Sequence, residues 1–401
     1  MPDSIDDHIK AAVKAFEEAD DLFQEEPERI FGTESRRKAA LYSDLAKQSK
    51  AWERSGPCMY RGCLKARSLR SHSIHRAGPL EQIAELQHVL APGFGQNGLI
   101  LDRIGVHEAS TFPGFCEAHE QLFSSFEATL KIADGHQAVL QAFRTLCREI
   151  ARKRHGVEHV RNMLETYRAA RFDYFKTSIL AAAPDVDIHG VTEQGNKLEE
   201  FMVSSVAEGE SDLQELENLY DELIQYLDSG FPEPCVKALE ISPDIHLEIP
   251  VALSGLGVLR YDDGSRNKHR ALCLLGILPQ GKTTLTFIAA ARSHADAITL
   301  YTNRMLSGFG ALRAMESWMV YGSDHWFIRP TAWEAIPEER RSLILRTILS
   351  VDYNITDSPP FSILDEARRR LISYLRDHID DTDDKDEALR QLAIEEAKLQ
   401  P

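Results

Sequence analysis

Long hydrophobic runs are missing from this 401-residue chain. No apolar stretch approaches the roughly 20 residues that a membrane-spanning helix needs, so no membrane partner is expected. The longest such run lies near Ala271–Leu278. The N-terminus, Met-Pro-Asp-Ser-Ile-Asp-Asp, lacks the basic start and apolar core of a signal peptide, and a cytoplasmic protein is expected. Cysteine is sparse, with six in all: Cys58, Cys63, Cys116, Cys147, Cys235 and Cys273. In a long cytosolic chain these are expected to be metal ligands or buried thiols rather than disulfides. Positive charge is in deficit, 46 Lys and Arg against 63 Asp and Glu, for a net charge of −17. Such an acidic chain is not a general nucleic-acid coat. Internal repeats are absent, and the one biased tract, Asp380 to Glu387, reads as a solvated acidic joint.

What is present is an ordinary globular composition, 43% hydrophobic and 27% charged, enough for two or three cores. The pattern along the chain implies an α+β protein. Residues 1–55 read as N-terminal helices, basic at the end, with Ile5, Ile9, Val13, Phe16 and Leu22 on a helical stripe. Residues 56–127 hold a cysteine-rich module and a Gly-rich loop, Pro92 to Gly98. Residues 128–232 form a helical region. Within it Leu213, Leu216, Tyr220, Leu223 and Leu227 repeat at coiled-coil-like spacing, and Ser211 with Gln214 makes a candidate capping box. Helices over 194–228 could pair within the chain, with a protein partner or with a second copy. Residues 243–401 are rich in β-branched and aliphatic stretches between turns, then in helical patterns. They imply a C-terminal α/β domain with a small, mainly antiparallel sheet.

Charge is uneven. Between Arg29 and Arg76 there are 12 Lys/Arg and 3 Asp/Glu, so this stretch carries +9 and the remainder −26. A basic island can contact the phosphates of DNA or RNA; a solvated helix face followed by a basic finger is the plainer reading.

The strongest chemical signal is Cys58-Met-Tyr-Arg-Gly-Cys63 followed by Cys116-Glu-Ala-His119. Two Cys four residues apart can pinch a metal from a tight turn that Gly62 permits. Cys116 and His119, at i and i+3, can face inward from the first turn of a helix. Together they offer the four N/S ligands of a structural Zn2+ site. Cys147, Cys235 and Cys273 stand alone and read as buried thiols.

A knuckle, a strand ending in Ser71-His72 and a helix that opens with ligands resemble the HNH/treble-clef (ββα-metal) group. Arg70-Ser-His72-Ser-Ile with Gly114-Phe-Cys116-x-x-His119 is also similar to a set of bacterial proteins, some linked to anti-phage defence. The resemblance covers about 70 residues. It implies a metal-dependent nuclease in which His72 activates a water and a second metal, Mg2+ or another divalent ion, stabilises the leaving oxygen. Asn97 lies in the loop where that family often has an Asn. The family usually adds a His after the second ligand pair; this chain has Glu120, which with His107 is a candidate substitute. Three readings of His72 stand: general base, further ligand, or a ring packed against the finger. His75 and Arg76 read as an exposed basic turn or a phosphate hold.

Three functions therefore stand side by side: a zinc-stabilised HNH-like module acting on nucleic acid, a non-enzymatic zinc-stapled binding or scaffold protein, and a P-loop NTPase using Lys282. The last rests on Gly276-Ile-Leu-Pro-Gln-Gly281-Lys282-Thr283, which fits G-x-x-x-x-G-K-[ST]. Thr283–Ile288 alternates like a strand, not the helix a P-loop needs, so a hairpin turning at Gln280-Gly281 is the preferred reading.

Overall fold

The computed structural model describes residues 5–25, 56–67, 70–95, 98–185, 187–188, 197–229, 239–241, 245–262, 268–348, 354–381 and 384–400. Asn97, Cys235 and most of the basic 29–76 stretch lie outside them. The described elements run α1 (Ile5–Glu25), β1 (Ser71–His72), β2 (His88–Gly95), β3 (Gly98–Gly105), β4 (Thr111–Phe112) and α2 (Glu117–Glu120). The long helices α3 (Gly135–Ala182) and α4 (Lys197–Asp228) follow, then β5 (Leu239–Ile241), β6 (Val251–Asp262), β7 (Lys268–Gln280) and β8 (Thr283–Ala289). The chain continues with α5 (Ala295–Asn303), α6 (Gly308–Ser317), β9 (Trp326–Ile328), α7 (Glu338–Ile348), α8 (Asp365–Asp377) and α9 (Lys385–Ala397), with short helical turns between. This mixture of helices and antiparallel sheet agrees with the α+β expectation. Among the described residues no helix is long and apolar enough to cross a membrane.

The chain divides into two compact units. One takes residues 1–49 and 153–213. There α1 lays Phe16 on Phe175 of α3, with ring centroids 5.1 Å apart, and Ala19 is buried beside them. Lys153 and Asp212 pair at 2.8 Å between α3 and α4, and Arg171 pairs with Glu199.

The other unit takes residues 50–152 and 214–401 and contains every strand among the described residues. Seven strands form one antiparallel sheet in the order β3-β2-β9-β6-β7-β8-β5. The sheet joins strands from the 56–127 and 243–401 stretches, since Leu90 of β2 pairs with Ile328 of β9. The Gly-rich segment expected to loop supplies β2 and β3, with Pro92 opposite Leu101 and Gly95 opposite Gly98. Tertiary pairing here overrides the low strand propensity of Pro and Gly.

The central strands β6 and β7 are buried almost along their whole length, as expected for strands covered on both faces. Val251, Leu253, Cys273, Leu275 and Ile277 join Met315, Trp318 and Trp326 in the main core. On the opposite side, Ser254 Oγ and Thr145 Oγ1 of α3 lie 2.9 Å apart. Leu272 sits beyond the last β7–β8 pair, Leu274 and Ala289, and its N–H donates to Glu215 of α4 at 2.9 Å. An amide outside the ladder thus gains a partner, as a buried donor requires.

The α4 stripe turns inward. Leu216 and Leu223 are buried within this unit, which covers that part of the seam expected to offer a partner face. Ser211 does not start a helix; α4 runs unbroken through it. Cys147 and Cys273 are buried thiols, as expected. The G-x-x-x-x-G-K-[ST] segment forms the β7–β8 hairpin, with Gln280 opposite Thr283. Gly281 takes φ +73°, which suits glycine at the turn. The strand–loop–helix context of a P-loop is therefore not met there.

Candidate metal centre

The knuckle is built by backbone hydrogen bonds before any metal is considered. Cys58 N–H donates to Lys65 O at 2.9 Å, Arg67 N–H to Gly56 O at 2.9 Å, and Cys63 N–H to Tyr60 O at 3.1 Å. Gly62, at φ +74°, turns the chain between the two Cys. The second pair comes from the start of α2. Cys116 is its extended N-cap residue, and its carbonyl accepts from both His119 and Glu120 at 2.9 Å. Two links hold these parts together. Met59 N–H donates to Gly114 O at 3.0 Å, and Ser71 of β1 accepts from Phe115 N–H at 2.9 Å. Beneath lies an aromatic bed in which the Phe115 ring packs, tilted, 5.1 Å from Phe123 and 5.8 Å from Phe143.

Cys58, Cys63, Cys116 and His119 come together with their ligand atoms all within 4.8 Å of one another. His119 Nδ1 is 3.4 Å from Cys58 Sγ and 3.4 Å from Cys116 Sγ, and Cys63 Sγ is 3.9 Å from Cys116 Sγ. A tetrahedral zinc, with Zn–S about 2.3 Å and Zn–N about 2.0–2.1 Å, sets its ligand atoms roughly 3.5–3.8 Å apart. The four side chains therefore fit a tetrahedral ion, and the soft sulfur set suits zinc. Burial pushes the Cys58 thiol up to about 11, opposed by N–H donors from Tyr60 and Cys116. Those donors lie 3.5 and 3.3 Å from Cys58 Sγ and would favour a thiolate once a cation replaces the proton. The Tyr60 ring stacks on His119, with centroids 4.2 Å apart and planes 10° from parallel, which fixes the imidazole. Tyr60 donates to Asp228 at 2.6 Å, Tyr220 donates to Met59 O at 2.7 Å, and Arg61 pairs with Asp221. Helix α4 thus clamps the knuckle from outside.

The residues expected to do chemistry sit nearby but are differently engaged. His72 ends β1, opposite Thr111 of β4. Its ring is half-buried, and its Nε2 has no exposed surface and no hydrogen-bond partner. Burial, then the positive charges of Arg144 and Arg76, hold this imidazole down to about 4, so it is neutral at physiological pH. His75 is shifted the same way, again chiefly by burial. Arg76 Nη1 lies 2.7 Å from His107 Nδ1, so both groups already face each other. Glu120 accepts from Arg144 at 3.2 Å, and Glu127 accepts from the same guanidinium at 2.6 Å. Arg144 is only 2% exposed and lies 4.2 Å over the Phe123 ring.

Arg144, Glu127 and the clamping residues of α4 escape sequence reasoning. Each is a common residue type on a helix face, and only the fold brings them to the module. The same holds for Ser73 and His325, whose Oγ and Nε2 meet at 2.8 Å across 252 residues of chain. Burial holds His325 well below the ordinary histidine range. No protein-family model, no curated protein and no solved structure matches this chain.

Proposed function

We propose that this is a non-enzymatic binding protein in which one zinc ion, held by Cys58, Cys63, Cys116 and His119, staples a treble-clef-like module. The observation that carries this reading is the complete four-ligand set. Catalytic zinc sites keep an open position, whereas structural ones close it with four protein ligands. The neighbours support the same reading, since Glu120 Oε2 accepts from Arg144 and the His72 Nε2 is shut away from solvent. The partner best suited to the basic 29–76 stretch is DNA or RNA, contacted through phosphates; Lys65 and Arg70 are exposed at the knuckle.

A specific observation favours the HNH-like nuclease as the second reading. His72 ends the strand that pairs with β4, and its ring is neutral with Nε2 unpartnered, as a general base requires. One experiment separates the two. Purified protein is assayed for zinc content, for salt-dependent binding to labelled duplex and single-stranded oligonucleotides, and for plasmid cleavage with Mg2+ or Mn2+. The binding reading expects one zinc per chain, binding that weakens as salt rises, and no cleavage. Divalent-metal-dependent cleavage that is lost in His72→Ala, with zinc retained, replaces it with the nuclease. A chain without zinc sinks both readings.

A further inference from the structure

At the β5 edge of the sheet, a cavity of about 330 Å³ lies between β8 and helices α5 and α6. Its volume falls within the range of small-molecule sites, about 300–1,000 Å³. Much of the wall is apolar: Ile245, Ile288, Met305, Ala311 and Trp318 line it. Ile288, Met305, Ala311 and Trp318 also belong to the main core, so the floor is rigid and preformed. Leu306 at the margin is 73% exposed, an apolar side chain unshielded beside an apolar hollow.

The formal charge of the wall comes from one carboxylate. Glu240 of β5 is the only charged residue among the described residues that line the cavity. Its carboxylate is fixed by Thr299 of α5, whose hydroxyl donates to Oε1 at 3.0 Å. Thr302 and Asn303, from the C-terminal turn of α5, line the same side, where a helix carries its partial negative charge. Ser307 is the N-cap of α6, and its hydroxyl accepts from Gly310 N–H at 3.0 Å, so that helix end is already capped. Thr286, on the sheet face shared by Ile288, is fully buried, and its hydroxyl has no hydrogen-bond partner. Unsatisfied hydroxyls of this kind are uncommon in native interiors and point to a missing partner.

We infer that this cavity binds a small molecule with an apolar, ring-sized body and an ammonium or other N–H donor head directed at Glu240. The apolar wall selects the body, and the fixed carboxylate with the α5 C-terminus selects the head. An anionic head would face uncompensated negative charge. The site shares no residue with the metal centre, so it stands whichever reading of the zinc module holds.

The test uses the full zinc-loaded protein with tryptamine and indole-3-acetate, which share a body and differ in the sign of the head. Titration calorimetry and thermal denaturation are read for each. Tryptamine is expected to bind at least tenfold more tightly than indole-3-acetate and to raise the melting temperature. Glu240→Gln, a half-buried edge-strand change, is expected to erase that preference while leaving the melting temperature of the free protein unchanged. Ala311→Phe fills the cavity and is expected to abolish binding of both. Equal binding of the two compounds, no binding of either, or a preference that survives Glu240→Gln overturns the proposal. So does binding undiminished in Ala311→Phe. Should Ala311→Phe fail to fold, the Glu240→Gln comparison decides alone.

Discussion

The knuckle and the seven-stranded sheet belong to one compact unit, yet they command very different amounts of apolar surface. In the knuckle, Leu64 is 94% exposed, Met59 and Tyr60 are half-buried, and the turn has little hydrocarbon of its own beyond its two cysteines. In the sheet, Ala271 through Leu278 are all buried, and Trp318 and Trp326 close over one face with no exposure. Burial at about 25 cal/mol per Å² can hold the second kind of structure, but a six-residue turn cannot gather enough area to offset its chain entropy. A metal ion held by the four ligands would substitute for core there, since metal binding supplies folding free energy directly. The two regions should therefore fail separately, under different treatments.

The largest expected effect is metal removal. Structural zinc in small modules is worth about 10–16 kcal/mol of apparent binding free energy at neutral pH. Chelation, or Cys116→Ser, should strip hydrogen-exchange protection from residues 56–67, 70–75 and 106–127 while protection of β6, β7 and β8 persists. Simultaneous loss of both would show that the sheet depends on the ion. The converse break is Trp318→Ala. It should cost about 3–5 kcal/mol in denaturant unfolding and leave zinc stoichiometry at one. Loss of zinc in that variant would erase the distinction between the regions.

Acid should act through buried imidazoles near the module rather than through the sheet core. His72 is held at about 4, below the ordinary 6.5, and His75 and His325 are shifted in the same direction. The unfolded chain then binds more protons than the folded one between pH 6.5 and 4, so stability falls as pH drops through that window. For His72 this amounts to about 3 kcal/mol at most. The unfolding free energy of His72→Gln, measured from pH 7 to pH 4, should show a shallower slope than the parent. The smallest effect tests the clamp. Tyr220→Phe removes the hydroxyl that reaches Met59 O and should cost about 1 kcal/mol. It should also raise the zinc dissociation rate; an unchanged rate would show that α4 does not brace the knuckle.

Legibility in the sequence follows the same divide. Cys58 to Cys63 and Cys116 to His119 are short spacings, so the ligand set could be assembled from local text, and so could His72 at a strand end. The hairpin at Gln280-Gly281 was legible because Thr283–Ile288 alternates and glycine marks the turn. The sheet order was not. Nothing local in Leu90 says that it pairs with Ile328, and Pro92, Gly93 and Gly95 argue against a strand. The state of the candidate chemical residues was hidden for a related reason. Glu120 looks free in the sequence, and only the fold brings Arg144 to it from 24 residues away.

The β2–β9 seam sets a demand on the order in which the chain can fold. The β2–β3 hairpin is local and can close within microseconds, but its inner edge has no partner until Trp326–Ile328 has been synthesised. At about 5–20 residues per second, the roughly 230 intervening residues keep that edge waiting for about 10–45 s. An unpaired strand edge is a template for adventitious pairing with other chains. Production of this protein should therefore be sensitive to translation speed and to chaperone supply, well before its final stability is at issue.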